Sequence, residues 1–479
     1  MSLKKQAISG VFWTSIQQFS TQGIGFVVSI ILARLLLPAE FGLIAMIGIF
    51  MGIGASLMDA GLGSSLIRTD NPTQEDYSTV FFFNLAGSVI MYVLLYVVAP
   101  YIADFYKQDI LTGIIRWYGV IFIINAFAMV QRTRLTKLLD FKTQMLVAVP
   151  SIVLGGAIGV LMAYYGYGVW SLVVMAITQS FVSTLQLWFY AKWKPAWVFN
   201  KEKFKYHFNY GYKLTLSGIL DTVFVNAYTI IIGKFFAPAQ VGFFNRADSL
   251  KQLPVSNVSA ILNKVTFPLF AEIKNDDVRL KSVYKKIMQL VLFLIAPLLL
   301  ILAALAEPLF RFLFTEKWLP AVPYFQILCW NGILYPIHSY NLNILTVKGR
   351  SDLFLKLEII KKIMVVLVLL VSFQFGIYGL LYGAVFTSVL AFFINTHYSG
   401  KFINYKAWEQ IKDILPLIFM AFIASVFVYF GDFFLKDKIN IDIVRLIFGG
   451  LLGAGIYLLL AVLFKVNSLT ELKNIIRKR

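Results

Sequence analysis

Three charged side chains stand close together in one apolar stretch of this chain, the segment FFNRADSLKQLP at residues 243–254. Arg246, Asp248 and Lys251 fall within two helical turns, and Lys264 follows in the same hydrophobic run. An ionisable group inside a bilayer is energetically costly, so it normally faces a polar cavity or a partner. This segment therefore predicts the wall of a polar pathway. The alternative is that the charged side chains lie at the membrane edge and extend to water.

A second polar feature is a stripe along the first hydrophobic segment, with the spacing i, i+3, i+4, i+7, i+8 of one helical face. It consists of Thr14, Gln17, Gln18, Thr21 and Gln22. A later segment carries Ser217, Asp221 and Asn226 in a comparable arrangement. Such stripes form hydrogen bonds between helices or line a hydrated cleft. Asp221 is a lone carboxylate in mid-segment, which suits a cation or proton site or a partner for Arg246.

Arg34 and Lys234 lie at the ends of these same two segments, each shortly before a proline. Cations at such positions commonly anchor a helix among lipid headgroups. Their matching positions also allow a second interpretation, in which they form paired cationic gates above the cleft.

The composition indicates that these residues belong to a polytopic membrane protein. Hydrophobic residues make up 59% of the 479, charged residues only 14%, and the mean hydropathy is +0.77. Because a bilayer span needs about 20 apolar residues, about fourteen spans are predicted. They fall near 11–36, 42–66, 79–101, 113–132, 146–165, 169–190, 212–235, 243–270, 284–306, 321–345, 357–375, 378–397, 412–431 and 441–464. The first is expected to be a retained helix, because no small-residue cleavage site ends a short apolar region.

The net charge of +19 is unevenly distributed along the chain. Lys and Arg concentrate in the alternate loops 133–145, 191–211, 271–286 and 346–362 and in the C-terminal tail. The positive-inside rule then predicts that both termini are cytoplasmic. This distribution explains the excess charge without a nucleic-acid partner.

An internal repeat divides the predicted helices. The stretch LLLPAEFGL at 35–43 recurs as FFAPAQVGF at 235–243, and YGYGVWSLV at 165–173 resembles FGIYGLLYG at 375–383. Six spans thus repeat as a second six. The predicted domains are a six-helix lobe at 1–195, a second at 196–405, and two further helices with a basic tail at 406–479. Repeats of this kind enclose a substrate site between two halves near the bilayer midplane.

Signatures of enzymes, metals and cofactors are absent from the sequence. Asp276–Asp277 is a carboxylate pair in a loop, but Mg²⁺-dependent prenyl-phosphate chemistry is expected to need clusters that hold the metal and the diphosphate together. There is no G-x-x-x-x-G-K-[ST] loop for ATP. The single cysteine, Cys329, and three scattered histidines offer no disulfide and no metal-ligand spacing. We therefore expect a non-enzymatic membrane protein without a catalytic residue, metal or cofactor.

Six motifs in a shared order resemble a known family, the Wzx-like polysaccharide exporters of the multidrug/oligosaccharidyl-lipid/polysaccharide flippase superfamily. The similarity is greatest to the subgroup that exports colanic and teichuronic acid, and the O-antigen exporters belong to the same branch. The motifs are DAGLGSSLIR at 59–68, QEDYSTVFFFNL at 74–85, LLDFK at 138–142, VGFFNRADSLKQLP at 241–254, EKWLPAVPYFQIL at 316–328 and KGRSDL at 348–353.

The resemblance implies a flippase of the bacterial inner membrane with two lobes around a cleft that opens alternately to either side. Its substrate would be an oligosaccharide on undecaprenyl diphosphate, moved to the periplasmic leaflet, with polysaccharide polymerase machinery as a further partner. Arg246, in the matching N-R-A motif, is implied to bind the diphosphate. By position alone, the same role extends to Lys251, Lys264, Arg34 and Lys234. The glutamine and threonine stripe, with Tyr228, is expected to meet the sugars.

Two other functions stay open at this point. In an ion-coupled multidrug or small-cation antiporter of the same superfamily, Asp221 and Asp248 would form the coupling site and the cleft would be anionic. In an integral-membrane glycosyl- or prenyl-transferase, purified protein would turn over substrate.

Overall fold

The chain is helical along its described length. The computed structural model describes residues 3–477, apart from the side chains of residues 3–9, 11, 260–265 and 473–477, and none of residues 3–477 is in a β-strand. The first helices are α1 (Leu3–Leu35), α2 (Pro38–Asp59), α3 (Leu62–Arg68), α4 (Gln74–Tyr106), α5 (Ile110–Lys137), α6 (Phe141–Tyr164), α7 (Val169–Tyr190), α8 (Lys201–Val225) and α9 (Ala227–Phe235). The remainder are α10 (Pro238–Glu272), α11 (Asp277–Ala304), α12 (Ala306–Phe314), α13 (Val322–Val347), α14 (Ser351–Ser372), α15 (Gly376–Phe402), α16 (Ala407–Leu435), α17 (Asp442–Leu463) and α18 (Asn467–Arg477), with 3₁₀ turns at Glu316–Ala321 and Phe373–Phe375.

Polar side chains cap several helices that are predicted to begin on the cytoplasmic side. The Thr73 hydroxyl accepts a hydrogen bond from the Asp76 backbone N–H, and the Asp76 carboxylate accepts one from the Thr73 N–H at 2.7 Å. Asp140, Asn200 and Asp276 accept first-turn N–H groups of α6, α8 and α11. Because the first N–H groups of a helix lack partners within it, these caps define where each helix begins.

Most of the long helices are apolar enough to span a bilayer, which confirms the predicted all-α membrane fold. Among the described residues, ten helical stretches qualify, or eleven if α8 and α9, bent by 48°, form one span. The 52-residue stretch Ser351–Phe402 counts once among these and contains two of the predicted spans. Every predicted span lies on a helix or helix pair. The total of fourteen is consistent with this structure and stays a prediction.

Two predicted spans are broken where the sequence suggested continuous helices. The span at 42–66 ends its first helix at Ala60 and Gly61, whose φ angles of 45° and 66° are left-handed. The span at 212–235 bends at Asn226, whose side-chain amide donates to the Thr222 carbonyl at 2.8 Å. Side chains of this type compete with backbone hydrogen bonds and favour helix breaks.

The described helices divide into two compact units, Met1–Gly242 and Phe243–Arg479. In the first, α4 packs on α5, α6 packs on α1 and α7, and α8 and α9 pack on α2 and α4. Its core includes Leu62, Leu66, Phe81, Val130 and Trp193. The lobe boundaries at residues 195 and 405 stay predictions.

Within the first unit, the two copies of the repeated Pro-Ala-x-x-Gly segment approach each other reciprocally. A Cβ on Gly42 would overlap the carbonyl oxygen of Pro238, and a Cβ on Gly242 would overlap the carbonyl oxygen of Pro38. Backbones can come this close only where no side chain intervenes, which is why small residues are used at helix contacts in membranes. The glycine of the repeat therefore has a packing role.

The second unit is built around α11, which packs against α13, α16 and α17. A buried ion pair attaches α17 to α16. The Arg445 guanidinium, 3% exposed, donates to both oxygens of Asp432 at 2.8 and 2.7 Å and to Asp442 at 3.2 Å. A bidentate arginine–carboxylate pair sets orientation as well as energy, so the two last predicted spans are held together by polar as well as apolar contacts.

Candidate functional site

Arg246 lies on α10 and is held by two aromatic rings of the second unit. Its guanidinium carbon is 4.9 Å from the ring centre of Phe314 and 5.2 Å from that of Trp318. Both rings are almost completely buried, at 1% and 0% exposure. A guanidinium over an aromatic face gains up to about 2 kcal/mol when it is removed from water. The rings therefore fix the position of this cation.

Lys251 and Asp248 form an ion pair on the same helix. The Lys251 Nζ lies 2.6 Å from Asp248 Oδ1 across an i, i+3 spacing. The ammonium side chain is 8% exposed and the carboxylate side chain 42% exposed. The lysine charge is thus neutralised within the chain, while the carboxylate still reaches the surroundings.

The other predicted cations are placed differently. Lys234, at the end of α9, donates to the Phe105 carbonyl oxygen at 2.6 Å and lies 4.3 Å from the Phe105 ring centre. Arg34 is exposed in the last turn of α1. The side chain of Lys264 lies outside the described residues. Arg246 and Lys251 thus belong to the second unit, and Arg34 and Lys234 to the first.

The polar stripe of α1 is only partly directed inward. Gln17 and Thr21 are half-buried, whereas Gln18 and Gln22 are exposed. The Thr21 hydroxyl donates to the Gln17 carbonyl oxygen at 2.8 Å, a bond within the helix itself. Gln17 is therefore the member of this stripe whose side chain lines a cavity of the first unit.

On α8 and α9, the predicted polar residues follow the bend between the two helices. Ser217 and Asp221 are exposed, and Tyr228 is half-buried. Asn226 lies at the bend, and its amide donates to the backbone of the preceding turn. These residues all belong to one bent helix pair, and the amide of Asn226 also stabilises the bend.

A polar cavity of about 300 Å³ lies among α1, α5, α6 and α7 of the first unit. Its polar lining comprises Gln17, Arg132, Gln144, Ser151, Gln179 and Ser183. Four helices contribute these residues, and Arg132 is the one charged group among these described side chains. Of the six, Gln17 alone was predicted from the sequence. The signal for the others was present in the seven-residue spacing of Gln144 and Ser151 and the four-residue spacing of Gln179 and Ser183, which place each pair on one helical face.

The family of the chain follows from its similarity to known proteins. A family described as "Polysaccharide biosynthesis protein" matches residues 31–323, which include α2 to α12, the cavity residues of α5, α6 and α7, and Arg246 with its two rings. The chain belongs to this family.

Two named relatives come from different bacteria. The chain is 28% identical over 354 residues to the teichuronic acid biosynthesis protein TuaB of Bacillus subtilis (strain 168), covering 74% of this chain and 73% of the relative. It is 23% identical over 437 residues to the lipopolysaccharide biosynthesis protein WzxC of Escherichia coli (strain K12), covering 90% and 86%. The resemblance expected from the motifs is thereby confirmed.

A solved structure shows the same fold. The lipid II flippase MurJ in an inward closed conformation superposes with a TM-score of 0.73 over 95% of this chain and 98% of MurJ, at 14% identity. An inward-facing multidrug resistance transporter of the MATE family gives a TM-score of 0.59 over 82% of this chain and 99% of the transporter, at 17% identity. This member of the polysaccharide biosynthesis family therefore has the MurJ-like transporter fold.

A buried polar cluster of the first unit was not anticipated from the sequence. His207 Nε2 lies 3.2 Å from Asp76 Oδ1, His207 Nδ1 lies 2.8 Å from the Ser65 hydroxyl, and Lys203 Nζ lies 3.2 Å from Asp76. His207 and Asp76 are 0% and 2% exposed. Two motifs of the resemblance, DAGLGSSLIR and QEDYSTVFFFNL, thus meet α8 here, so they have a packing role at this point.

The described part of the chain contains no cluster of side chains that could bind a metal ion. Between residues 3 and 477, no group of three or more described His, Cys, Asp or Glu side chains is arranged to hold a metal ion. The polar groups that line the cavity of the first unit are amides, hydroxyls and one guanidinium, which suit a ligand with a negative charge and hydroxyl groups.

Proposed function

We propose that this protein is a flippase that moves oligosaccharides linked to undecaprenyl diphosphate from the cytoplasmic to the outer leaflet of a bacterial inner membrane by alternating access. It acts as a transporter and catalyses no covalent step. Both termini are cytoplasmic, and the polysaccharide polymerase machinery receives the exported unit.

Arg246 carries this proposal. A diphosphate that leaves water must be compensated by charge, because an isolated buried anion is very costly. A guanidinium presents five N–H donors in its own plane and binds phosphate oxygens in bidentate fashion. The rings of Phe314 and Trp318, whose centres lie 4.9 and 5.2 Å from the guanidinium carbon, hold this cation in position.

The relatives support a lipid-linked glycan as the substrate. TuaB and WzxC are named for the biosynthesis of teichuronic acid and of lipopolysaccharide, and MurJ is named as a lipid II flippase. A common fold with membership of the polysaccharide biosynthesis family favours the same class of activity. In this proposal, four further cations contribute to binding the diphosphate: Lys251, Lys264, Arg34 and Lys234. The polar side chains that contact the sugars are Gln17, Gln18, Thr21, Gln22, Ser217, Asn226 and Tyr228.

Cation antiport is less well supported. In that function Asp248 would bind a proton or a metal cation, but its carboxylate already binds the Lys251 ammonium at 2.6 Å. A coupling cation would first have to displace this internal one. Asp221 is exposed on α8 and is the other carboxylate that an antiporter would use, so it serves as the test residue for coupling.

The test is binding of bare undecaprenyl diphosphate to purified protein in lipid nanodiscs. We expect saturable binding that Arg246→Ala weakens at least tenfold, which corresponds to about 1.4 kcal/mol. Arg246→Lys should recover part of the affinity, because lysine keeps the positive charge but cannot form the bidentate hydrogen bonds of a guanidinium. Arg279→Ala is the matched control, since it removes one exposed arginine at the start of α11.

Equal affinity in the wild type, Arg246→Ala and Arg279→Ala would contradict the role of Arg246. Absence of lipid binding, together with ion-dependent drug efflux that Asp221→Asn abolishes, would replace the flippase with the antiporter. Export of polysaccharide in cells provides the second readout, and it should fall with the affinity for the lipid.

A further inference from the structure

Arg132 is an unusual residue within the first unit. It lies near the end of α5 and lines the cavity of about 300 Å³ among α1, α5, α6 and α7. Its side chain is exposed, none of the described side chains forms a hydrogen bond or ion pair with its guanidinium, and the described lining includes no carboxylate. A charged side chain in a membrane-spanning helix normally has a partner, because an uncompensated charge is costly there. The missing partner points to a ligand.

The neighbouring polar groups are of two kinds. Some are already bonded: the Gln144 amide donates to the Thr136 hydroxyl at 3.1 Å, and the Ser151 hydroxyl donates to the Val147 carbonyl oxygen at 2.6 Å. Gln17, Gln179 and Ser183 have no side-chain hydrogen bond among the described residues, and each is half-buried. Amides and hydroxyls that line a cavity in this state are suited to the hydroxyl groups of a sugar, which both donate and accept.

The charge and the volume of this cavity indicate which part of a lipid-linked oligosaccharide it could bind. The described lining offers a single positive charge, which balances one carboxylate but not the two or more negative charges of a diphosphate. Its volume lies at the lower end of the range of small-molecule pockets, about 300–1,000 Å³. One sugar ring suits such a space better than a chain of sugars.

We propose that this cavity is a subsite for one acidic sugar of the transported oligosaccharide. Arg132 binds the carboxylate as a fork, and Gln17, Gln179 and Ser183 bind ring hydroxyls. The subsite rests on the proposed function for its substrate. It adds recognition of the glycan in the first unit, separate from the diphosphate-binding role given to Arg246 in the second.

The experiment uses the full-length protein in nanodiscs and three small probes, D-glucuronate, D-glucose and acetate, with binding followed by ligand-observed NMR. Glucuronate should bind the wild type in the millimolar range, with glucose and acetate at least tenfold weaker. Arg132→Gln should weaken glucuronate binding at least tenfold, and Arg132→Lys should restore part of it. Ser183→Ala serves as a second variant, expected to weaken glucuronate binding about threefold without a change of charge.

The outcomes separate this proposal from the proposed function. Bare undecaprenyl diphosphate, tested in parallel, should bind Arg132→Gln as well as it binds the wild type while remaining sensitive to Arg246→Ala. If Arg132→Gln weakens bare lipid instead, the cavity is a diphosphate site and the acidic-sugar subsite is wrong. Acetate binding as tight as glucuronate would reduce the cavity to an anion site without sugar recognition, and glucuronate binding that ignores Arg132 would also overturn the proposal.

Discussion

Arg246 and Arg132 are both arginines in helices that are predicted to span the membrane, yet their surroundings differ. Arg246 lies against two buried aromatic rings of the second unit. Arg132 lines a cavity among amides and hydroxyls of the first unit, where the described lining includes no carboxylate. The first arrangement uses packing energy to place a cation, and the second leaves a cation accessible to a ligand. The same residue type therefore has different expected roles, and mutations of its neighbours should separate them.

The largest expected effect comes from the aromatic support of Arg246. Trp318→Ala should lower the free energy of unfolding by about 3–5 kcal/mol, because the ring is completely buried and its removal leaves a large cavity. It should also weaken the binding of undecaprenyl diphosphate and leave glucuronate binding unchanged. Denaturant titration and the two binding assays check this.

Trp318→Phe is the matched control, since it keeps an aromatic face. If Trp318→Ala loses stability but keeps its full affinity for the lipid, the rings stabilise the fold without orienting Arg246, and the first half of the comparison fails.

An intermediate effect is expected at the ion pair of α10. Asp248→Asn should lower the free energy of unfolding by about 1–3 kcal/mol, because it leaves the buried Lys251 ammonium without a carboxylate. Lys251→Met should cost less than Asp248→Asn, since the Asp248 side chain is 42% exposed and can be hydrated. The double variant should resemble Lys251→Met alone. Denaturant titration of the three variants measures the asymmetry, and equal losses would show that the ammonium does not depend on its partner.

The smallest effect on stability is expected at Arg132. Arg132→Gln should change the free energy of unfolding by less than about 0.5 kcal/mol, as for a substitution that removes no interaction within the fold. Arg246→Gln should cost about 1–2 kcal/mol through its lost aromatic contacts. Denaturant titration compares the two variants. A loss at Arg132 as large as at Arg246 would show that Arg132 has a structural partner, and it would remove the basis for the sugar subsite.

The sequence predicted the fold class and the family, because both depend on features that are repeated along the chain. Long apolar runs require helices in a bilayer, and motifs in a shared order indicated relatives that the comparisons confirm. The pairing of Lys251 with Asp248 could also be anticipated, since an i, i+3 spacing places two side chains on one helical face. The helix breaks at Gly61 and Asn226 were not anticipated, because one or two residues of local conformation hardly change a hydropathy average.

The cavity shows the limit of sequence reasoning most clearly. Arg132 is the last residue of the predicted span 113–132 and stands one residue before the basic loop 133–145, so its position in the sequence does not distinguish a cavity residue from a cytoplasmic charge. Gln144 and Ser151 share one helical face, as do Gln179 and Ser183. The spacing of the apolar residues does not predict which other helix each of these faces contacts. Nothing in their spacing says that α5, α6 and α7 turn these faces toward Gln17.

The sequence by itself thus determined that this is a helical membrane protein of the polysaccharide biosynthesis family with cations in its eighth predicted span. Only the tertiary structure decided what those cations contact. It placed Phe314 and Trp318 against Arg246 and left Arg132 in a polar cavity. The physical reason is that periodicity fixes which residues share a helical face, whereas the rotation of each helix, and hence what that face meets, depends on packing against helices distant in the chain.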